Sequence, residues 1–132
     1  MHRAPLPRVI GEKKMDVTSS ATASTVRIFN DALNGHDIDT VMALMTEDCI
    51  FENTFPAPDG THHEGASNVR AELGKFLNGS PLAHFDEEEL IACQDRCVVR
   101  WRYTWGDGYV RGVDVMRVRD GKVSEKLSYV KG

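Results

Sequence analysis

Asp114 is the residue of this sequence that is best placed to do chemistry. The dipeptide Asp107-Gly108 is typical of a two-residue hairpin turn, and with this turn at the centre Asp114 faces Trp101 on the neighbouring strand. Because side chains alternate along strands, the same inward face is expected to carry two further cross-strand pairs, Val99–Met116 and Tyr103–Gly112. An ionised aspartate on such an apolar face is costly unless it is paired or hydrogen-bonded.

Two interpretations of Asp114 are open at this point. In the structural interpretation, the carboxylate accepts hydrogen bonds from the Trp101 indole, from a tyrosine or from a buried water. In the functional interpretation, the carboxyl group lies in a pocket, where desolvation prepares it to act as an acid or to activate water. The pattern of residues does not decide between them.

Other residues with metal-binding or nucleophilic side chains form no recognisable site. The run His62-His63-Glu64 precedes a helix, but adjacent side chains rarely converge on one ion and no HxxxH spacing is present. Cys93 and Cys97 flank an expected turn, and no second pair completes a tetrahedral zinc site. Cys49 is expected to be a buried, inert thiol. We therefore predict no metal and no other cofactor.

Three apolar-periodic segments predict the helices that would pack against the inward face. The first runs over about 20–33 and ends at Asn34-Gly35, a typical C-terminal stop. A second, short helix begins near Asp37 or Asp39, either of which can cap its first turn. The third covers about 66–77 and follows a loop, 54–65, that is rich in proline and glycine.

Strand patterns dominate the second half of the chain. A short strand at 49–53 precedes the third helix, and four longer strands with turn signals between them follow it, at 83–94, 97–106, 109–119 and 122–130. The predicted fold class is therefore α+β, with the helices packed on one face of a curved antiparallel sheet.

The facing of the last strand has two solutions. A plain turn at Asp120-Gly121 points Leu127 and Tyr129 inward, whereas a bulge points Ser128 and Val130 inward. A slip of one residue reverses every side chain of the strand, and the sequence is compatible with both arrangements.

Composition excludes several classes of partner. The 132 residues suit one domain, which we place at 19–132, and the net charge of −4 argues against nucleic acid as a partner. No run of about 20 apolar residues predicts a membrane span. Three cysteines without a secretion signal suggest reduced thiols and a cytoplasmic protein. Residues 1–18 are net basic and are expected to be a flexible tail, with a recruitment arm or a start of translation at Met15 as alternatives.

Three strings of the chain, LNGHDID at 33–39, MTEDCIFEN at 45–53 and RGVDVMRVRDGKV at 111–123, resemble a known superfamily. This is the SnoaL-like, or nuclear-transport-factor-like, group, which includes ketosteroid isomerases, polyketide cyclases and limonene-type epoxide hydrolases. The resemblance covers about 20–132. It implies a cone-shaped barrel, in which a strongly curved antiparallel sheet wraps over three N-terminal helices around an apolar pocket, and it implies a homodimer.

The catalytic groups of these enzymes carry over only in part. The carboxylate base of the isomerases falls at Asn53, which cannot take a proton from carbon, and their tyrosine falls at Phe29, which has no hydroxyl. Their protonated aspartate matches Asp114.

The hydrolase and cyclase sets are also incomplete. The aromatic-x-Asn string of the epoxide hydrolases resembles Phe51-Glu52-Asn53, with phenylalanine in place of tyrosine. Their Asp-Arg-Asp group falls at Trp101, Val99 and Ser128, and the acid of the cyclases also falls near Ser128.

The sequence therefore predicts a pocket domain that binds an apolar small molecule bearing a carbonyl or hydroxyl group. We expect Asn53 and Asp114 to orient that polar group, within a lining supplied by Phe29, Phe51, Phe55, Trp101, Tyr103 and Ser128. One alternative is an isomerase, cyclase or hydrolase that uses Asp114 as an acid or water activator. A second alternative is a non-catalytic dimerisation module.

The outward face of the sheet is the expected homodimer contact. It mixes valines such as Val113 and Val115 with arginines, which are favoured at interfaces. A turn at Asp95-Arg96 would place Arg102 beside Glu89, so that the acidic run 86–89 complements the arginines across the strands.

Overall fold

Three helices and six strands make up the residues that the computed structural model describes, 16–132. The helices are α1 (Val17–Asn34), α2 (Ile38–Ala43) and α3 (Ala66–Gly79). The strands are β1 (Met45–Glu52), β2 (His62–Glu64), β3 (His84–Cys93), β4 (Arg96–Thr104), β5 (Tyr109–Arg119) and β6 (Lys122–Val130). The fold is thus α+β, as predicted. The expected tail falls outside the described residues except for its end, where α1 already begins at Val17.

The helices begin and end where their polar residues can replace missing backbone hydrogen bonds. The Asp16 carboxylate accepts a hydrogen bond from the Ser19 amide at 2.7 Å, and Asp37, rather than Asp39, caps α2 by accepting one from the Thr40 amide. Helix α1 directs a continuous stripe toward the sheet, which includes Val26, Phe29 and Leu33.

The sheet has the order β2-β1-β6-β5-β4-β3, with β1 and β6 parallel and all other neighbours antiparallel. Strands β2 and β3 are its two edges and do not pair with each other. The strongly curved sheet is as predicted, but the expected cone-shaped barrel is not closed, because the strands described form an open sheet. Strand β2 was also missed, because its three residues lie within the segment that proline and glycine marked as a loop.

The β4–β5 hairpin is shifted from its predicted register. Thr104 pairs with Tyr109, so the loop spans 105–108 instead of Asp107-Gly108 alone, and the Trp105 amide donates to the Gly108 carbonyl. Trp101 consequently faces Gly112, and Asp114 faces Val99. The shift is an even number of residues, so each side chain keeps its predicted face.

The β3–β4 hairpin turns one residue earlier than expected, at Gln94-Asp95. Together with a register shift between Glu87 and Glu89, this places Arg102 opposite Asp86, not Glu89. The predicted complementarity of acidic and basic strands is present, because Arg100 and Arg111 both form ion pairs with Glu88.

A bulge resolves the facing of the last strand. Register between β5 and β6 shifts after the Asp120-Gly121 turn, since Val118 pairs with Val123 but Arg117 pairs with Glu125. Asp114 consequently pairs with Ser128, and Gly112 pairs with Val130. Of the two solutions, the bulged one is confirmed, and it turns Lys126 inward as well.

The core lies between the helices and the inner face of the sheet. Its largest fully buried side chains are Phe29, Leu73 and Met116, which are joined by valines from α1, α2, α3, β4 and β6. Within residues 16–132, no helix has the length and apolar character that crossing a membrane requires.

Candidate functional site

A cavity of about 690 Å³ opens at one end of the sheet, between its inner face and helix α3. The end of α1, the end of β1, the loop after it, helix α3 and strands β3 to β6 all contribute to the wall. The lining is mainly aromatic and aliphatic and consists of Leu33, Phe51, Asn53, Thr54, Phe55, Pro56, Thr61, His63, Glu72, Leu73, Lys75, Phe76, Phe85, Trp101, Tyr103, Val110, Lys126, Ser128 and Val130. This volume is within the range of small-molecule sites.

Most of the residues proposed from the sequence meet at this cavity. Six of the eight line it, namely Phe51, Asn53, Phe55, Trp101, Tyr103 and Ser128. Phe29 does not, because it is fully buried in the core. Asp114 is also absent from the lining and faces a second, smaller cavity instead.

An aromatic cluster forms one wall. The Phe85 ring stacks on Tyr103 with centroids 4.8 Å apart and meets Trp101 edge-on at 5.4 Å, while Phe76 lies 6.1 Å from Phe85. Sequence reasoning missed Phe76 and Phe85 as lining residues. Phe76 could have been found, because it lies on the apolar side of the third predicted helix. Phe85 was harder to find, because the acidic residues that follow it are typical of an exposed strand.

Gly112 explains how Trp101 fits on the inner face. A Cβ at Gly112 would lie 2.4 Å from the indole Cη2 and 2.3 Å from the Tyr129 carbonyl oxygen. The cross-strand position opposite Trp101 is thus filled by the indole itself. The space beside Gly112 is occupied by the Trp101 ring and is not part of the cavity.

A buried ion pair lies beneath the cavity. The Lys126 ammonium donates to Asp114 Oδ2 at 2.8 Å and to the Ser128 hydroxyl at 3.1 Å, and both charged side chains are only 5–6% exposed. Lys126 also lies 5.5 Å from the centre of the Phe51 ring. Sequence reasoning missed Lys126, although the bulged solution for β6 would have placed it inward by alternation with Ser128.

The second cavity, of about 220 Å³, adjoins this ion pair. Its lining is more polar and includes Asp114 together with residues of α1 and β3, such as Asn30 and Glu87. Four residues line both cavities, and they are Leu33, Phe85, Trp101 and Lys126. The two cavities are therefore neighbours that share one wall.

Asn53 organises the opposite end of the large cavity. Its amide nitrogen donates to Glu72 Oε2 at 2.6 Å, and its carbonyl oxygen accepts a hydrogen bond from the Thr61 amide at 2.7 Å. His63 lies 3.7 Å from Glu72 and stacks on Phe51. Asn53 thus ties the loop after β1 to helix α3, and its side chain has a structural role at the cavity wall.

His62 connects the two strands beside this wall. Its ring nitrogens lie 2.7 Å from Glu64 Oε2 and 2.7 Å from Glu52 Oε2. Hydrogen bonds to Glu64 and then to Glu52 raise the pKa of His62 above its ordinary value. Within residues 16–132, no three histidine, cysteine or acidic side chains are grouped closely enough to hold a metal ion.

The two buried cysteines, Cys49 and Cys97, lie in surroundings that disfavour the reactive thiolate. Burial raises the pKa of Cys97 to about 11 and also raises that of Cys49. Cys93 is exposed, and the β3–β4 turn separates it from Cys97 as expected.

Comparison with known families identifies the class of protein. The model of the SnoaL-like domain matches residues 26–126, and the chain belongs to this family. No curated protein shows significant sequence similarity to it.

Solved structures agree with this assignment. A nuclear-transport-factor-2-like protein of unknown function from Mesorhizobium loti is 42% identical, with 89% of this chain and 96% of that chain covered and a TM-score of 0.78. A Kribbella flavida protein provisionally named a ketosteroid isomerase is 23% identical over 86% and 80% of the two chains, with a TM-score of 0.73. Bal32a, from a soil-derived mobile gene cassette, is 19% identical over 86% and 91%, with a TM-score of 0.75. The last two show a shared fold only.

Proposed function

We propose that this protein binds an apolar small molecule bearing a carbonyl or hydroxyl group in its large cavity. The observation that carries the proposal is the cavity itself, which combines a volume of about 690 Å³ with an aromatic wall and a lining that is mainly apolar. Burial of an apolar ligand against Phe85, Trp101 and Tyr103 supplies affinity, and the polar groups of Ser128 and Lys126 supply orientation.

The placement of Asp114 favours binding over acid catalysis. Asp114 accepts a hydrogen bond from the Lys126 ammonium and does not line the large cavity. An ion-paired carboxylate accepts hydrogen bonds and has no proton to donate, so an isomerase- or cyclase-type role for Asp114 gains no support from this geometry. Asn53, at the position of the isomerase base, is likewise engaged with Glu72 and Thr61.

The neutral fluorescent probe N-phenyl-1-naphthylamine tests the proposal. We expect saturable enhancement with one site per chain, and at least tenfold weaker binding to Val110→Trp, which fills the cavity from β5. Ile28→Trp is the matched control, because Ile28 is 56% exposed on α1 and lines neither cavity. Absence of saturable binding, or equal binding by Val110→Trp and Ile28→Trp, would overturn the proposal.

Self-association through the outer sheet face is the second part of the proposed function. A shallow groove on this face is lined by Val98, Arg100, Arg111, Val113 and Tyr129, among others. Tyr129 is 53% exposed within it, so a large apolar side chain is available for contact. Tyrosine and arginine beside valine are typical of interface centres.

Sedimentation equilibrium tests this second part. We expect twice the 14.7 kDa mass of one chain, and the monomer mass for Val113→Asp, which places a charge in the groove. Ile28→Asp, with the same charge on α1, should remain dimeric. A monomeric wild-type protein would contradict the dimer without bearing on the cavity.

A further inference from the structure

We propose that Lys126 captures an apolar aldehyde or ketone in the large cavity by forming a Schiff base with its carbonyl group. This inference rests on the proposed small-molecule binding and adds a covalent step to it. Three features of Lys126 carry it, and they are its place in the cavity wall, its burial and the carboxylate within hydrogen-bond distance of its amine.

The amine end of Lys126 lies at the wall of the large cavity. Lys126 is one of the lining residues, and its Nζ lies 3.1 Å from the Ser128 hydroxyl oxygen and 5.5 Å from the centre of the Phe51 ring. Ser128 and Phe51 line the same cavity. Because the nitrogen has two lining side chains as neighbours, a molecule held against them brings its carbonyl group beside the amine.

Burial sets Lys126 apart from the other lysines within residues 16–132. Its side chain is 5% exposed, whereas that of Lys75, at the same cavity, is 78% exposed. Lys122 and Lys131 are also exposed. Lysines that form Schiff bases are typically desolvated, because water stabilises the ammonium form, which has no lone pair to attack a carbonyl carbon.

Asp114 supplies the proton acceptor that the reaction requires. Its Oδ2 accepts a hydrogen bond from Lys126 Nζ at 2.8 Å, so a proton can pass along this bond and leave a neutral amine. The amine nitrogen then forms a bond to the carbonyl carbon, and the carbonyl oxygen leaves as water with the two protons of the amine. The imine nitrogen takes the first proton back from Asp114, which restores the positive charge.

Asp114 therefore acts through Lys126 and does not contact the bound molecule. It lines the smaller cavity and not the large one. A buried iminium needs a counter-ion just as the buried ammonium does, and the same carboxylate serves both. The ligand class is an aldehyde or ketone with an apolar body, whereas an alcohol of the same shape binds without forming a bond.

Sodium cyanoborohydride, which reduces an iminium to a stable amine, tests the capture of a neutral aromatic aldehyde, 6-dimethylamino-2-naphthaldehyde, by the full chain. Peptide mapping by mass spectrometry should show labelling of Lys126 at least about tenfold faster than that of the exposed Lys122, because the cavity holds the aldehyde beside the amine. N-phenyl-1-naphthylamine should slow the labelling of Lys126 alone, since it occupies the same cavity.

Two matched variants complete this experiment. Lys126→Arg keeps the positive charge but forms no Schiff base, so the label at this position should be lost. Lys122→Arg, in the same strand, should leave the labelling of Lys126 unchanged. If Lys126→Arg does not fold, the comparison of Lys126 with Lys122 within the wild-type chain still decides the question.

The absorption spectrum tests the role of Asp114. The dimethylamino group of the probe shifts the absorption of a protonated Schiff base to longer wavelength than that of the neutral imine, and the wild-type adduct should show this long-wavelength band. Asp114→Asn removes the counter-ion, so the buried imine should stay neutral and the band should be lost. Asp95→Asn, at the exposed β3–β4 turn, should retain it. A band that persists unchanged in Asp114→Asn would contradict this role.

The outcomes separate this inference from the proposed function. Binding of N-phenyl-1-naphthylamine without preferential labelling of Lys126 would overturn the covalent capture and leave the cavity as a binding site. Loss of both the binding and the labelling would overturn both proposals. Labelling of Lys126 that N-phenyl-1-naphthylamine does not slow would place the reaction outside the large cavity and contradict the inference.

Discussion

The two faces of the sheet carry the same kinds of charged residue in different surroundings. On the inner face, Lys126 and Asp114 form one pair whose side chains are 5–6% exposed. On the outer face, Arg100 and Arg111 meet Glu88 with side chains that are 24–47% exposed. Solvent screens the outer pairs, whereas the inner pair lies in an apolar medium where each charge depends on its partner.

This contrast indicates that the ion pairs of the two faces have different roles. The inner pair contributes little to the free energy of folding, because the burial of both charges is costly. Each charge does, however, hold the other in position beside the cavity. The outer pairs keep the sheet surface polar around the valines that we propose as a self-association contact. Lys126→Met and Arg111→Met test this division directly, and two further substitutions test the packing of the inner face and the hydrogen bonds at the sheet edge.

The largest expected effect is that of Lys126→Met, which leaves Asp114 buried without its partner. We expect a loss of about 3–5 kcal/mol in the free energy of unfolding, measured by urea denaturation. The double variant Lys126→Met with Asp114→Leu removes both charges and should recover most of that loss. If the single variant were as stable as the wild type, the inner pair would be equivalent to the outer ones.

A smaller loss is expected from Gly112→Ala. The new Cβ would meet the Trp101 ring and the Tyr129 backbone oxygen at 2.3–2.5 Å, so β6 or the indole must shift, at a cost of about 1–3 kcal/mol. The matched control is Gly74→Ala in α3, where a Cβ meets nothing within 4 Å. That change should stabilise the helix by about 0.5–1 kcal/mol. Denaturation curves that move in the same direction for both variants would contradict this packing.

Arg111→Met is the outer-face equivalent of Lys126→Met. Removal of an exposed partner of Glu88 should lower the urea midpoint far less than Lys126→Met does, because water solvates the remaining carboxylate. The small difference should shrink further in 0.5 M NaCl. A loss of unfolding free energy as large as that of Lys126→Met would contradict the difference between the inner and outer ion pairs.

The smallest effect is expected at the β1–β2 edge, where His62 lies between two carboxylates. Because the pKa of His62 is raised in the folded protein, its contribution to stability is complete below the ordinary value of about 6.5 and is lost as the pH rises through the folded value. His62→Gln should therefore be less stable than the wild type at pH 5.5 and nearly equal to it at pH 8.5. Urea titrations at both pH values measure this, and a difference that grows with pH would contradict the assignment.

Local signals in the sequence predicted much of the fold. Asp120-Gly121 turns as expected, with both residues at positive φ, and the three helices lie where the apolar periodicity placed them. The turn predicted at Asp107-Gly108 was too short, because Trp105 and Gly106 also belong to the β4–β5 loop. The face assignments survived, since the shift was even.

Long-range pairing could not be predicted from these signals. The parallel contact of β1 with β6, which sets the sheet order, depends on residues far apart in the chain. The bulge before Glu125 could not be predicted either, because the alternation of residues in β6 is compatible with both facings. The burial of Lys126 could not be predicted either, because a lysine in a strand is normally exposed. Its burial is explained by the bulge, which turns it inward, together with its ion pair to Asp114.

The central claim, that the inner face binds a small molecule, is tested most directly by the two tryptophan indole N–H signals in a ¹H–¹⁵N spectrum. Trp101 lines the cavity, whereas Trp105 lies in the β4–β5 loop and is 38% exposed. Titration with N-phenyl-1-naphthylamine should shift the Trp101 signal saturably and move the Trp105 signal much less. Shifts confined to Trp105, or to the outer-face residues Val113 and Tyr129, would contradict the account.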